Sequence, residues 1–436
     1  MEYLHTLTMS MLRRNLPCLS GMIVIIINIT IYIVVEVFVA HSGTAGRLDN
    51  SLFSATSSAF LFTSAHRSIK TQGVAERITQ RAQGGAEYPG TLQESIQKAF
   101  IKARADGLQR PIVVGAIPFD ISQPTQLFIP QSYQFLDRQE LVSAASDTSE
   151  DPVSVAQWRS LPNEDDFKQA VAQAVETFRR GAMHKVVLSR ILEIETETPI
   201  NPNRVINHLL RQNPGAFHFH IPLSEGGVLL GASPELLVRK DGDRVYTNPL
   251  AGSAKRQATV EGDHVVSQAL MNSGKDQYEH RLVIDEIRRL LTPYCRSLNI
   301  PTQPSLISTA ALWHLSTAIS GELESAQTSV LELACLLHPT PALCGFPTES
   351  ARRLINQLEP FERGLFSGIV GWCDEDGNGE WAVAIRCATL HDTQARLFAG
   401  AGIVMASQPA LEWAETEAKL GTMLNALGIQ SQGRLP

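Results

Sequence analysis

Cysteine is sparse in this chain: six in 436 residues, at Cys18, Cys295, Cys335, Cys344, Cys373 and Cys387. No two form a CxxC pair, so neither a disulfide framework nor a structural zinc site finds support. Thiols used this way read as reduced and mostly buried, in a cytoplasmic protein. An excess of basic residues is also lacking. Lys and Arg number 37 against 44 Asp and Glu, a net charge of -7. That excludes a broad basic field for nucleic acid and leaves room for a local basic pocket. A negatively charged small substrate would need locally placed cations or a metal. Internal repeats and low-complexity tracts are missing too. With 44% hydrophobic and 19% charged residues, the composition is globular and not largely disordered. At about 150 residues per domain the length allows two or three domains, or one longer unit.

One long apolar run is present. Residues 22–40 read MIVIIINITIYIVVEVFVA, about the length that crosses a bilayer. Arg13 and Arg14 precede it, as in a signal or signal-anchor pattern. Glu36 and Asn28 interrupt it, and the sequon Asn28-Ile29-Thr30 lies inside it and is discounted. Three readings stay open: a start codon chosen too far upstream, a membrane anchor, or a cleaved signal. Residues 1–45 are therefore set apart as an extension, and 46–436 are expected to form one domain. A membrane partner is expected only if 22–40 is a real anchor.

From about Ser51 the pattern is globular. SSAFLFTSAHRSIKTQG reads as strands, and TLQESIQKAFIKARADG as an amphipathic helix closed by Gly107. RPIVVGAIPFD is a short buried strand ending at a proline. Residues 141–163 are rich in Ser, Asp and Pro and read as a connection. In EDDFKQAVAQAVETFRRG, Phe167, Val171, Ala174, Val175 and Phe178 recur at helical spacing, with acids first and arginines last. KVVLSRILEIET reads as a strand. GGVLLGASPELLVRKDGDRVYTNPLAGS reads as strands around a tight turn. KDQYEHRLVIDEIRRLLTPYC is a long helix, and TSVLELACLLHPTPALCG a helix broken by Pro339 and Pro341. LFSGIVGWCDEDGNGEWAVAIRCATL reads as one long hairpin, ARLFAGAGIVM as a strand and PALEWAETEAKLGTMLNALG as the final helix. Many strands without regular βαβ alternation predict an α+β fold with a large, mostly antiparallel sheet system.

Two tempting motifs fail on inspection. Asp374, Asp376, Asn378 and Gly379 match half a calcium loop, but the twelfth position is Ile385 instead of Glu. A hairpin turn explains them better. Gly400-Ala401-Gly402 lacks the strand–GxGxxG–helix setting of a dinucleotide site.

The helices carry more. Glu412, Glu415 and Lys419 share one stripe of the last helix, whose buried face is marked by Leu420, Met423, Leu424 and Leu427. Alone this reads as a solvated face with internal ion pairs. The long helix, however, presents Asp276 and Glu279 at the same i, i+3 spacing. Two helices with two carboxylates each can supply oxygen ligands to Mg²⁺, directly or through water. Lys185 opens a strand expected to be buried. It is either a strand-end lysine reaching solvent or an amine desolvated enough to act as a base. Glu235 follows Ser233-Pro234, and a carboxyl in an apolar setting can donate a proton. A base and an acid at opposite ends of a small ring suit addition of water with loss of a hydroxyl.

These residues fall within a set of ordered motifs. KVVLSR (185–190), GASPELLVR (231–239), PLAGSAKR (249–256), KDQYEHRLV (275–283), LWHL (312–315), HPTPALCGFP (338–347), FSGIVGW (366–372), AIRCA (384–388), AGAGIV (399–404) and EWAETEAKL (412–420) resemble, in this order, the chorismate-utilising enzymes. Within that family the chain is similar to isochorismate synthases of the catechol-siderophore type, by HPTPALCGFP and GASPELL. The resemblance covers roughly residues 50–430 and not 1–45, which favours the upstream-start reading. It implies a large antiparallel β-sandwich surrounded by helices. It implies Lys185 as the base that activates water for C2 of chorismate, and Glu235 as the acid that protonates the departing C4 hydroxyl. Glu279 and Glu415 would bind Mg²⁺, with Asp276 and Glu412 supporting through water. Arg386, Lys419 and the amides around Gly400 and Gly402 would hold the carboxylates. Gly252, Ser253, His314 and Phe366 would line the site. Sister enzymes that form aminodeoxychorismate place a lysine where this chain has Ala251, which argues against a lysine-bound intermediate. No glutaminase-like segment is seen, and no glutaminase subunit is expected. Salicylate synthase, which goes on to eliminate pyruvate, and a menaquinone-pathway isochorismate synthase are the near alternatives. A membrane-tethered binding protein with an inactive pocket is a remote one.

Overall fold

The computed structural model describes residues 59–84, 90–145, 153–181 and 183–429. The extension 1–45 and its apolar run lie outside these. Strand Ile112–Ile117 shows how the fold is built. Its alternate side chains Ile112, Val114 and Ala116 enter one apolar cluster, while Val113 and Ile117 enter another. Side chains of a strand point alternately to its two faces, so a strand apolar throughout must be covered on both.

Two large sheets supply that cover. One has the order Gly345–Phe346, Lys185–Thr196, Gln394–Val404, Cys387–His391, Val228–Ser233, Phe217–Pro222, Leu61–Phe62, Ser68–Gln72, Ser132–Leu136. The other runs Cys295–Asn299, Ile319–Leu323, Arg244–Asn248, Leu236–Asp241, Gly379–Val383, Ile369–Asp374, Ile112–Ile117, Gln126–Ile129, Glu76–Ile78. A small third sheet joins Leu250–Lys255, Leu312–Ser316 and Ser305–Ser308. Every strand pairing described is antiparallel. Phe60, Phe62, Phe219, Leu229 and Phe398 of the first sheet and its flanks meet Val114, Phe128, Val370 and Trp372 of the second, forming the sandwich interior. Burying each such side chain is worth about 1.5–3 kcal/mol.

Helices close the outer faces. Leu92, Ile96 and Phe100 of Thr91–Ala105, Val283 and Ile287 of Gly274–Leu291, and Leu333 of Val330–Leu337 cover the second sheet. Phe167 and Val171 of Glu164–Arg179, Ile355 of Thr348–Leu358 and Trp413 of Pro409–Ala426 cover the first. The expected α+β sandwich is therefore the observed one. Among the described residues no helix is long and apolar enough to cross a membrane. The five cysteines described are free thiols, three of them buried.

Two readings need correction. The stretch taken as a connection contains strand Val155–Leu161, which pairs along Lys185–Thr196. It is an exposed edge strand, so its sequence lacks an apolar repeat. The long hairpin ends at Val383. The chain then turns at Arg386 (φ +51°), and Cys387–His391 joins the other sheet. Helices Pro202–Gln212, Val260–Asn272 and Thr348–Leu358 were not anticipated.

Candidate active site

The cavity of interest lies where the chain changes sheets. Pro234 and Glu235 link Val228–Ser233 in the first sheet to Leu236–Asp241 in the second. Ile385 and Arg386 make the reverse passage, from Gly379–Val383 to Cys387–His391. The two crossovers are tied together by Ala232 N–H to Arg386 O (3.1 Å) and Val383 N–H to Glu235 O (3.2 Å). Strand Gln394–Val404 pairs with Lys185–Thr196 along its whole length, but with Cys387–His391 only up to Leu397. Beyond Leu397 one edge is open. Gly400 O turns to that edge and accepts from Lys419 Nζ at 2.7 Å. In an extended strand the N–H lies on the same side as its own C=O, so the Gly400 amide faces that edge too.

Helices complete the walls. Pro409–Ala426 brings Glu415 and Lys419, Gly274–Leu291 brings Glu279, and the small sheet brings Gly252, Ser253 and His314. Phe366 stacks on Phe398 at 5.0 Å, and both line the cavity. Glu235, Arg386, Gly400 and Gly402 line it as well. Lys185, Asp276 and Glu412 stand behind the lining.

Charge states follow from neighbours. Burial pushes the Glu235 carboxyl up to about 7; the Leu250 amide, Lys185, Arg386 and Lys419 oppose it without prevailing. Arg386 is brought down to about 10 by burial, against Glu415 and Glu235. Its Nε is buried and has no partner, and its Nη2 reaches only His314 Nε2 at 3.5 Å. Burial and the cations Arg386 and Lys419 keep His314 neutral. Lys185 is fully buried; its Nζ forms an ion pair with Glu279 Oε1 at 3.0 Å but no hydrogen bond of good geometry.

The carboxylates of the two helices surround a cation that the sequence reading passed over. Lys275 Nζ is 2.9 Å from Glu412 Oε1. Burial works against its charge, but Glu279, Glu412 and Glu415 outweigh burial and hold its pKa above the usual value. Its spacing, one turn before Glu279, was the available signal. Glu415 accepts from Ser253 Oγ (3.0 Å) and pairs with Lys419 (2.6 Å). Burial pushes Glu415 up, but Lys419 and Lys275 hold it well below the usual carboxylate range. Glu412 is pushed up by burial and by Glu415, and its Oε2 is buried without a partner. Asp276 is raised by burial. Two glycines keep this corner open. A Cβ on Gly402 would lie 2.0 Å from Glu279 Oε1, and one on Gly252 (φ +81°) 2.9 Å from Asp276 Cβ.

Among the described residues no three His, Cys, Asp or Glu side chains converge as a finished metal cage. Mg²⁺ does not demand one: it is commonly held by one or two carboxylates, waters and substrate oxygens. An oxygen-only set with an unpartnered buried Glu412 Oε2 fits that pattern. The sequence reading missed Lys275, Ser367 (φ +58°), Leu343 and Phe398, the last three of which line the cavity. The calcium-like loop is a hairpin turn in which Asp374 Oδ1 accepts from the Asn378 amide at 2.8 Å. Gly400–Gly402 lies inside a strand.

The profile of chorismate binding enzymes matches residues 121–428. Isochorismate synthase EntC of Escherichia coli is 47% identical, over 85% of this chain and 95% of that protein. The vibriobactin-specific isochorismate synthase of Vibrio cholerae is 41% identical, over 86% and 93%. A crystal structure assigned to 2,3-dihydroxybenzoate-specific isochorismate synthase from Bacillus anthracis superimposes with a TM-score of 0.79 at 37% identity. It covers 86% of this chain and 98% of that one.

Proposed function

This chain belongs to the chorismate binding enzymes, and on that premise we propose that it is an isochorismate synthase acting through a neutral Glu235 and the amine of Lys185. The reaction moves a hydroxyl of chorismate from C4 to C2. Lys185, in its uncharged amine form, takes a proton from the water that attacks C2. The ring double bonds shift, and the C4 hydroxyl departs as water with the proton that Glu235 gives. One water enters and one leaves, and the proton gained at Lys185 is balanced by one that Glu235 regains from solvent, so the net change is a reversible isomerisation. The carrying observation is Glu235: a carboxyl 3% exposed, lining the cavity, with a pKa of about 7. Such a group still carries its proton in about half of the molecules at neutral pH and can release it, as a general acid must.

The rest of the cavity suits a dianion. The unpartnered Nε of Arg386, with Lys419 and the open strand edge at Gly400 and Gly402, would receive its carboxylates. Neutral His314, Ser253 and Gly252 shape one wall and Phe366 another. Glu279 and Glu415 would hold Mg²⁺, with Asp276 and Glu412 supporting through water. Bound there, the ion supplies positive charge for the ring carboxylate. Ala251 is buried and apolar and presents no nucleophile to the ring. The relatives' names support a catechol-siderophore pathway, and free thiols suit a cytoplasmic enzyme.

The test is product analysis of the full chain with chorismate and Mg²⁺, by chromatography with a pyruvate assay. Isochorismate without pyruvate, lost on adding EDTA, is expected. Salicylate with pyruvate would move the chain to the salicylate synthases.

A further inference from the structure

Strand Lys185–Thr196 has a gap along one edge. Lys185 and Val186 pair with Phe346 and Gly345, and Val187 N–H still reaches Cys344 O at 2.8 Å. From Ile191 onward the partner is Val155–Leu161. Between these two segments no strand among the described residues covers Val187 O and Ser189 N–H. Two charged side chains do so instead. Arg363 Nη2 donates to Val187 O at 2.7 Å, and Glu359 Oε1 accepts from Ser189 N–H at 2.7 Å. Arg363 and Glu359 are joined to each other by two hydrogen bonds, of 2.8 and 2.5 Å. Arg363 Nη1 also donates to Leu343 O at 2.9 Å, and its guanidinium lies over the Phe119 ring. Both side chains are buried, 2% and 3% exposed.

The groups held this way belong to the catalytic cavity. Val187 and Leu343 line it, and Lys185 lies two residues before Val187 on the same strand. Phe366, another lining residue, donates its N–H to Arg363 O at 3.0 Å. A buried ion pair is a poor device for stability alone, since its desolvation offsets much of its attraction. Its fork geometry is a good device for fixing backbone positions.

We propose that the Glu359–Arg363 pair is a positioning element that replaces the missing strand partner and fixes the Lys185 strand, Leu343 and the Phe366 turn against the substrate. The catalytic half of this statement rests on the functional reading above; the structural half does not. Arg363→Lys keeps the charge but loses the fork. Glu359→Gln keeps an acceptor for Ser189 but loses the charge. Both are compared with wild type as full chains, for kcat and KM on chorismate, thermal melting, and hydrogen–deuterium exchange of the 185–192 segment. In Arg363→Lys, kcat per folded molecule falls about tenfold or more, because misplacing reacting groups by about 1 Å can cost 10²-fold. The fall in kcat exceeds any rise in KM, and exchange over 185–192 quickens. Glu359→Gln shows the same pattern more weakly. A lower melting temperature with unchanged kcat per folded molecule overturns the proposal. If Arg363→Lys does not fold, Glu359→Gln decides by the same readouts. If wild type turns over no chorismate, the functional reading falls. Faster exchange in the variants then still upholds the edge role, and unchanged exchange overturns it.

Discussion

On the strand-borne wall of the cavity, burial raises Glu235 to about 7; on the helix-borne wall, Glu415 is held well below the usual carboxylate range. Glu415 keeps 18% of its side chain exposed, but exposure is not what separates the two. Burial pushes both upward. Glu415 answers it with Lys419 at 2.6 Å and Ser253 at 3.0 Å. Glu235 has one backbone N–H at 3.4 Å, and its cations act from further away. A crossover between sheets has no neighbouring turn to supply a partner, whereas a helix places one at i+4. One cavity thus holds a carboxyl of raised pKa on one side and fixed negative charge on the other.

The comparison can be broken at either wall. Glu235→Gln, which removes the donor and little else, should lower kcat by about 10²–10⁴-fold, with KM changed far less. Gly402→Ala should reach the helix wall from the strand side. Its Cβ would strike Glu279 Oε1, a side-chain end that can swing away, so the fold should persist while kcat/KM drops about tenfold to a hundredfold. If Glu415 holds the ion as proposed, Glu415→Gln should weaken Mg²⁺ binding about tenfold or more by direct titration, since a charged oxygen ligand would be lost.

Stability should move in opposite directions at the two walls. The folded pKa of Glu235 lies above its ordinary 4.5, so its contribution is full below 4.5 and is lost as pH rises through about 7. Glu235→Gln should therefore gain stability relative to wild type at pH 8 compared with pH 5, bounded at about 3 kcal/mol and read as a higher relative Tm. The folded pKa of Glu415 is depressed, so its contribution is present above the ordinary value and lost in acid. Glu415→Gln should lose Tm at pH 7, with the difference closing as pH falls. Parallel shifts in the two variants would break the comparison.

The helix wall was more legible in the sequence than the strand wall. Asp276, Glu279, Glu412 and Glu415 announce themselves by i, i+3 spacing on helices that open at the Ser273 cap and at Pro409. Lys275 escaped because a lysine beside acids looks like a solvated pair. Glu235 and Arg386 could be named as residues but not placed together. Their meeting depends on which sheet each following strand joins, and that is decided by long-range pairing. The same cause made the hairpin appear to run through Arg386. Strand Val155–Leu161 was hidden because its edge position leaves most side chains in solvent. Glu359 and Arg363 carry no signal in the sequence beyond their i, i+4 spacing, and only the gap in the adjoining strand edge gives them a task.

The most direct test of the account is the pH dependence of kcat/KM on chorismate, for wild type and Glu235→Gln. Wild type should lose activity as pH rises through about 7, where Glu235 gives up the proton it must donate. The residual activity of Glu235→Gln should lack that limb. An identical limb in both proteins would contradict Glu235 as the acid.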